Sequence, residues 1–407
     1  MSPAVPPLDR RTIYKFPWSK ADNPGAWVEV TDDCDLYCPG CYRHRLEGHR
    51  PLEDVKRDIL VCRERVNCSR ISIAGGEPLI YPRIVDVVDF IARHRLQPVI
   101  FTNGRGLSRE LTVELKRAGV HQLFFHVDSG QRRPGWEGRS EAGLNELRAH
   151  YADLLWDLGG VQCGFNMTIS RKTLPEVPDV VEWVRRNLPK VQNVSLIALR
   201  GLSLAPGKTY MANGKLIDTS AWQSGSADER EITLTSEEVY ETVAARFPDF
   251  VPAACLTGTA RPDTYKFLIT LYLGSLNGVY GAVGAKAVEL NEVWLHLRHG
   301  RYLAGVRDPV VGKRMFLLSV LDRGTRRAFL RFLAAAVKAP GRLADRISIQ
   351  CINIQQPNEI LDGETNLCDG CLNQMVYRGE MIPSCKLDEY RLFGGPIVEV
   401  TATRPPA

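Results

Sequence analysis

No stretch of this 407-residue sequence comes near the roughly 18 to 20 uninterrupted apolar residues that a membrane span requires. Its first ten residues carry no apolar core of a secretion signal. An evenly spread cysteine framework is missing as well. The eleven cysteines gather mainly at short, metal-ligand spacings, which argues against a disulfide scaffold and for a reducing cytoplasm. Basic residues are not interleaved with aromatic ones as on a base-stacking surface, so nucleic acid is not an expected partner. What is present is 44% hydrophobic residues, enough for one large domain with an appendage.

The most concentrated chemistry is the run Thr31-Asp-Asp-Cys34-Asp-Leu-Tyr-Cys38-Pro-Gly-Cys41-Tyr-Arg43. It follows a strand-like Trp27-Val-Glu-Val30. Cys34, Cys38 and Cys41 can place three thiolates on three corners of an iron–sulfur cube. Such a cluster usually takes four cysteines, so the shortfall leaves one iron for a ligand that is not protein. Zinc, which also takes closely spaced thiolates, is the alternative.

Residues 1–26 read as a loose arm rich in proline and charge. Strand and helix patterns then alternate. Strands are expected at 27–30, 70–74, 97–101, 121–127, 161–169 and 191–199, with helices at 51–65, 83–94, 108–118, 141–158 and 177–188. Parallel strands joined by right-handed crossovers curl toward barrels and carry their sites at the strands' carboxyl ends. The expected fold is α/β: a partial (β/α)6 TIM-like barrel over 27–200, a mostly helical insertion over 201–346 and a small extension over 347–407.

Gly75-Gly76-Glu77-Pro78 ends the second strand and Thr102-Asn103-Gly104 the third. Either alone reads as a tight turn. Together with the cysteine loop they resemble the radical S-adenosylmethionine (radical SAM) superfamily over about residues 27–200. The resemblance implies that Cys34, Cys38 and Cys41 hold a [4Fe–4S] cluster whose open iron binds S-adenosylmethionine. One electron, from a small reductant protein such as flavodoxin or ferredoxin, then yields a 5′-deoxyadenosyl radical that abstracts hydrogen from substrate. It further implies that Gly75, Gly76 and Glu77 cradle the methionyl amine and that Asp128 and Ser129 reach the ribose or carboxylate. Asn166, on the fifth strand, is a weaker cofactor contact that could equally satisfy a backbone group. Gly40 departs from the family, which often has an aromatic residue before the third cysteine; Tyr37 or Tyr42 is the candidate to cover that face. The run Gly130–Arg139, with Arg132, Arg133 and Trp136, is expected at the active-site mouth.

A second cysteine set lies near the end: Cys368-Asp-Gly-Cys371, then Cys385 after a predicted hairpin, Met375–Ile382, turning at Gly379. It resembles the twitch or SPASM extension, which implies a second, auxiliary [4Fe–4S] cluster, with Cys351 or Cys255 as the fourth ligand; a structural zinc ribbon is the alternative. Cys62, Cys68 and Cys163 read as packing residues, and Tyr377, Tyr272 and Cys255 are open as radical quenchers.

The net charge of +5 is uneven. From His296 to Arg346 there are twelve Lys or Arg against three acids, +9 locally, which leaves −4 for the rest. The apolar segment Phe267–Leu276 and a basic amphipathic helix over 325–337, with Phe329, Leu330, Leu333 and Val337 as its apolar side, point to a hydrophobic or amphiphilic substrate. They also point to a peripheral membrane contact. The expectation is a radical enzyme acting on an unactivated C–H bond of a lipid or other hydrophobic metabolite. The alternatives are a maturase of a peptide or small cofactor and, in a different class, a zinc-stabilised binding protein. Anaerobically purified protein is therefore expected to be brown, with iron and acid-labile sulfide on elemental analysis; a colourless zinc protein would make both cysteine sets structural.

Overall fold

The computed structural model describes residues 5, 7–36, 38, 41, 43–44, 46–199, 209–218, 234–302, 310–361 and 363–400. Tyr37, Gly40 and Tyr42, the residues bearing on the adenine face, lie outside them. All six expected strands form. After the short β1 (Tyr14–Lys15) they are β2 (Gly25–Thr31), β3 (Arg70–Gly75), β4 (Gln97–Thr102), β5 (Gln122–His126), β6 (Gln162–Ile169) and β7 (Asn193–Ala198). Each of β2 to β7 pairs in parallel with the next. Helices α1 (Leu52–Val66), α2 (Ile84–Arg93), α3 (Arg109–Arg117), α4 (Asn145–Leu158) and α5 (Val177–Arg186) make the crossovers.

The local reasons are ordinary ones. In α1 the buried residues Val55, Ile59, Cys62 and Val66 recur at steps of four and three, one apolar stripe per helix face. The Ser108 hydroxyl accepts from the Leu111 N–H and so caps α3. The parallel strands are nearly continuous apolar runs because helices cover their outer face. Cys62, Cys68 and Cys163 are buried in this core, as a packing role requires.

Beyond β7 the sheet continues where a separate helical insertion was expected. After β8 (Thr209–Ala212) and β9 (Lys215–Leu216) come helix α6 (Ser236–Arg246), β10 (Ala254–Thr257), β11 (Tyr265–Ser275) and β12 (Gly278–Ala282). Then follow α7 (Ala285–His299), a 3-10 helix at Lys313–Val320, α8 (Arg323–Lys338) and β13 (Ser348–Gln355). The result is one eleven-stranded sheet, ordered β1-β10-β11-β13-β7-β6-β5-β4-β3-β2 with β12 beside β11. The apolar run at 267–276 is thus mostly an inner strand, which apolar periodicity alone does not separate from a buried helix. Cys351, assigned from sequence to the extension, lies on β13 next to β7. The predicted hairpin forms as β16 and β17 (Gln374–Tyr377 and Glu380–Pro383), after the two-stranded β14 and β15 (Glu359–Leu361 and Glu364–Asn366); α9 (Leu387–Phe393) and β18 (Ile397–Val400) follow. None of the described helices is long and apolar enough to cross a membrane.

The arm is not loose over its described part. β1 pairs with β10, and Ile13, Phe16 and Trp18 are buried. Trp18 stacks on Phe16 at 4.0 Å and donates from its indole to Glu292 of α7 at 3.3 Å. Burial pushes the Glu292 carboxyl up to about 7 from an ordinary 4.5, against the opposing pull of Trp18 and His296. The folded chain therefore holds a proton that the unfolded chain has released between those values, and this stabilisation is lost as pH rises through that window. Denaturant titrations at pH 5 and pH 8 should show a stability loss that Glu292→Gln reduces by about 2 kcal/mol. Identical losses in both proteins would rule Glu292 out as the titrating group.

Candidate active site

The cysteine loop leaves β2 and is tied down by charge. The Arg43 guanidinium lies 2.8 Å from Glu29 of β2, 3.1 Å from Asp32 and 2.6 Å from Asp388 of α9. Arg391 adds a second contact to Asp32 at 2.7 Å. Arg43, Glu29 and Asp388 are buried, so each charge needs the others. Cys34, Cys38 and Cys41 line one cavity of about 980 Å³. Burial pushes the Cys34 thiol up to about 11 and Cys38 to about 12, and it also raises Cys41; repulsion from the neighbouring cysteines adds to the shift in Cys34 and Cys38.

The two glycines serve the loop first. A Cβ on Gly76 would stand 2.1 Å from the Asp33 carbonyl oxygen, and one on Gly75 2.2 Å from that of Thr31. With no Cβ in the way, the Gly76 amide donates to the Thr31 carbonyl at 2.8 Å and the Glu77 amide to the Asp33 carbonyl at 2.7 Å. The close approach foreseen for a ligand is thus made by the cysteine loop's own backbone. Glu77 is equally engaged: its carboxylate accepts from the Thr102 hydroxyl at 2.5 Å, the Asn103 amide at 2.6 Å and the Leu79 amide at 2.9 Å. Burial pushes that carboxyl up to about 7 despite these bonds. Asn103 in turn donates to Asp35 at 2.7 Å. The three motifs are therefore one hydrogen-bonded rim at the strands' carboxyl ends.

Asp128 sits beyond β5, 2.5 Å from His126 and accepting from the Thr168 amide at 3.0 Å. Burial opposes its ionisation, but the His126 and Thr168 contacts outweigh burial and hold it below the usual carboxylate range. Ser129 is placed by its amide, which donates to Glu141 at 2.7 Å, and Glu141 pairs with the fully buried Arg148 at 2.9 Å. Asp128, Ser129 and Asn166 all line the cavity with the glycines and Glu77. So do Gln131, Arg132 and Arg139 of the loop foreseen at the mouth. Arg133 instead turns inward to the Asn103 and His126 carbonyls, and Trp136 packs against the core.

Strand alternation gives the lumen two unlike walls, neither of which stood out in the sequence. Trp27, Phe101 and Phe124 form an aromatic wall, with ring centroids 5.0 and 4.8 Å apart. Opposed to it in composition are Asn166, Asn193, Ser195 and Asn353, and the side-chain oxygens of Asn166 and Asn353 have no hydrogen-bond partner. Arg70, at the start of β3, also lines the lumen. Its Nε has no partner, and burial lowers it to about 10, with the Cys351 and Cys68 thiols the groups that oppose this.

The second cysteine set lies toward the other end of the strands. The Asn23 carboxamide donates to the Gly370 and Cys371 carbonyls, both at 2.8 Å, just before β2 begins. β2 spans seven residues, about 20 Å of strand, between this contact and the root of the first cysteine loop. Cys368 and Cys371 share a hydrogen bond that holds Cys371 low and Cys368 high, and Cys385 bears on Cys368 as well. Cys385 and Cys351 line the same lumen as the first set. The charge acting on Cys351 is that of Arg70. Cys255 is buried in the core with Tyr265 and Leu268, Tyr272 is fully buried under the Arg185 guanidinium, and Tyr377 is half-buried beside Tyr390.

With this geometry in place, comparison with known proteins identifies a radical SAM segment: the model of the Radical SAM superfamily matches residues 28–157. The chain is 29% identical over 109 residues to a probable GTP 3′,8-cyclase of Pyrococcus abyssi, covering 26% of this chain and 35% of that one. It is 23% identical over 249 residues to the AdoMet-dependent heme synthase of Oleidesulfovibrio alaskensis, 60% of this chain and 57% of that one. To the PqqA peptide cyclase of Streptomyces rochei it is 32% identical over 121 residues, 27% and 31% of the two chains. These matches thus span between 31% and 57% of the relatives' lengths. Among solved structures, Streptococcus suis SuiB bound to S-adenosylmethionine aligns at a TM-score of 0.36 and 17% identity over 45% of this chain and 42% of that one.

A cluster fits the first loop by donor chemistry: three free thiols line one cavity, and Cys41 raises the proton affinity of Cys34 and Cys38. Among the described residues no three ligating side chains already converge at metal-binding distance; loading would release the thiol protons and draw the loop in. Gly76→Ala forces the loop away from β3. It should cost about 1–3 kcal/mol and lower iron content after reconstitution; a normal iron load would show that the rim does not position the cysteines. Arg43→Met leaves Glu29 and Asp388 uncompensated, so chemical denaturation should register a loss of about 3–5 kcal/mol. A loss under about 1 kcal/mol, typical of an exposed pair, would contradict the buried cage.

Proposed function

We propose that this chain is a two-cluster radical SAM enzyme that abstracts hydrogen from a compact amphiphilic metabolite held in the lumen between the two cysteine sets. The observation that carries the reading is the lumen itself, reached by Cys34, Cys38 and Cys41 from one end and by Cys351 and Cys385 from the other. At about 980 Å³ it stands at the upper end of small-molecule sites, large enough for a cofactor together with a substrate.

In this reading Cys34, Cys38 and Cys41 hold a [4Fe–4S] cluster, and Cys368, Cys371 and Cys385 hold the auxiliary one, with Cys351 as the candidate fourth ligand. Cluster and S-adenosylmethionine together supply the electron and the 5′-deoxyadenosyl radical. By bracing the cysteine loop, Gly75, Gly76 and Glu77 would shape the rim that meets the methionyl end, with Asp128, Ser129 and Asn166 toward the ribose. The chain's own part is to position and to exclude water. The aromatic wall takes the apolar or flat part of the substrate, and Arg70 takes an anionic group. A lipid is the long-chain case of such a substrate. Residues 27–200 then serve the radical step, 201–346 substrate access and 347–407 the second centre, in a reducing cytoplasm with a flavodoxin- or ferredoxin-like donor.

A second reading, maturation of a peptide or small cofactor, is favoured by the open carboxamide oxygens of Asn166 and Asn353, which suit substrate N–H groups. The peptide cyclase and heme synthase among the relatives agree with it. Formation of 5′-deoxyadenosine by reduced, reconstituted protein separates the two. Stimulation by a lipid extract supports the amphiphile, stimulation only by an aqueous extract supports maturation, and product formation must vanish when Cys34, Cys38 and Cys41 become Ala. Arg70→Gln should keep the unstimulated reaction and lose the stimulation about tenfold, the worth of one charge-assisted bond; undiminished stimulation would remove Arg70 from substrate binding.

A further inference from the structure

Most of the apolar side that the sequence shows on α8 is not the face that packs. Thr325, Ala328, Phe332 and Ala336 are the buried residues, and Ala328 and Phe332 belong to the apolar cluster that holds Leu273 of β11 and Tyr280 of β12. Leu330, Leu333 and Val337, a third of a turn away at about 100° per residue, are 57%, 38% and 83% exposed. The 3-10 helix at 313–320 packs beside α8, through Phe316 on Phe329 and Phe332 and through Arg326, which donates to the Ser319 and Val320 carbonyls. On it and just after it Leu317, Val320 and Leu321 are 77%, 74% and 62% exposed. Single exposed apolar residues are normal on any protein. Six on two mutually packed elements, with Leu343 exposed on the next, are a patch.

Charge decides what the patch fits. Between Lys313 and Arg346 there are nine Lys or Arg and two acids. Both acids are held by the fold, Asp322 as the buried cap of α8, accepting from Gly284 and Thr325, and Asp345 by accepting from Ser275, Asn277 and Tyr280, and with both counted the stretch still carries +7. A second copy of this chain would bring the same positive field against itself. We propose that this face is a docking surface for an anionic lipid bilayer, with Leu330, Leu333, Val337, Leu317 and Val320 entering the acyl boundary and Arg327 and Lys338 meeting the headgroups. This surface is argued independently of the radical chemistry.

The test is sedimentation of the full-length protein with vesicles of phosphatidylcholine alone and of phosphatidylcholine with one-third phosphatidylglycerol. Binding is expected to the second and not the first, to weaken at high salt, and to fall about tenfold or more in Arg327→Glu/Lys338→Glu. It should likewise be lost in Leu330→Ser/Leu333→Ser/Val337→Ser, whose sites are exposed and whose helix content by circular dichroism should be unchanged. Equal binding to both vesicles, no binding to either, or undiminished binding by both variants would overturn the proposal. So would a concentration-dependent dimer, seen by light scattering, that the serine variant abolishes. Should the variants misfold, the contrast between the two vesicle types still decides.

Discussion

The buried Arg43 guanidinium is the tie on which the arrangement depends. It reaches Glu29 on the edge strand β2, Asp32 at the root of the cysteine loop and Asp388 on α9. A charge out of water is tolerable only when compensated, so these three segments are held in one place or none is. Through Asp388 the extension that carries the second cysteine set is pinned to the loop that carries the first. Through Asn23 and the hairpin packed on Trp27 and Ala74, that extension runs the length of β2 and lies along the open edge of the sheet.

The contrast between the walls of the lumen follows from strand alternation. β2, β4 and β5 turn Trp27, Phe101 and Phe124 inward, while β6, β7 and β13 turn in carboxamides and a hydroxyl. An unpartnered buried polar atom costs free energy unless a ligand or water satisfies it. Arg70, Asn166 and Asn353 carry such atoms in the lumen, where a ligand has room. The exposed apolar residues of α8 and of the 3-10 helix beside it are not among those that line the lumen.

How much of this was legible in the sequence depended on the range of the forces involved. The six parallel strands and their helices follow from local periodicity and turn chemistry, and they form close to where the sequence places them. The rim motifs were visible as motifs, but the sequence does not say that Gly75 and Gly76 make room for the loop's backbone, since that is a contact between residues some forty positions apart. β11 was missed as a strand because a buried apolar run looks alike in helix and sheet. On α8 the packed face is Thr325, Ala328, Phe332 and Ala336, three of them small, and Ala328 lies close against Gly281 of β12. Arg43 and Arg70 gave no signal, because a buried cation is recognised only by what surrounds it.

The account stands or falls on two iron–sulfur centres at opposite ends of one lumen. Pulsed electron paramagnetic resonance on the reduced, reconstituted protein measures the separation of two such spins directly. The seven residues of β2 between the Asn23 contact and the root of the first cysteine loop predict a separation of about 20 Å. A single spin centre, or two at half that distance, would contradict it.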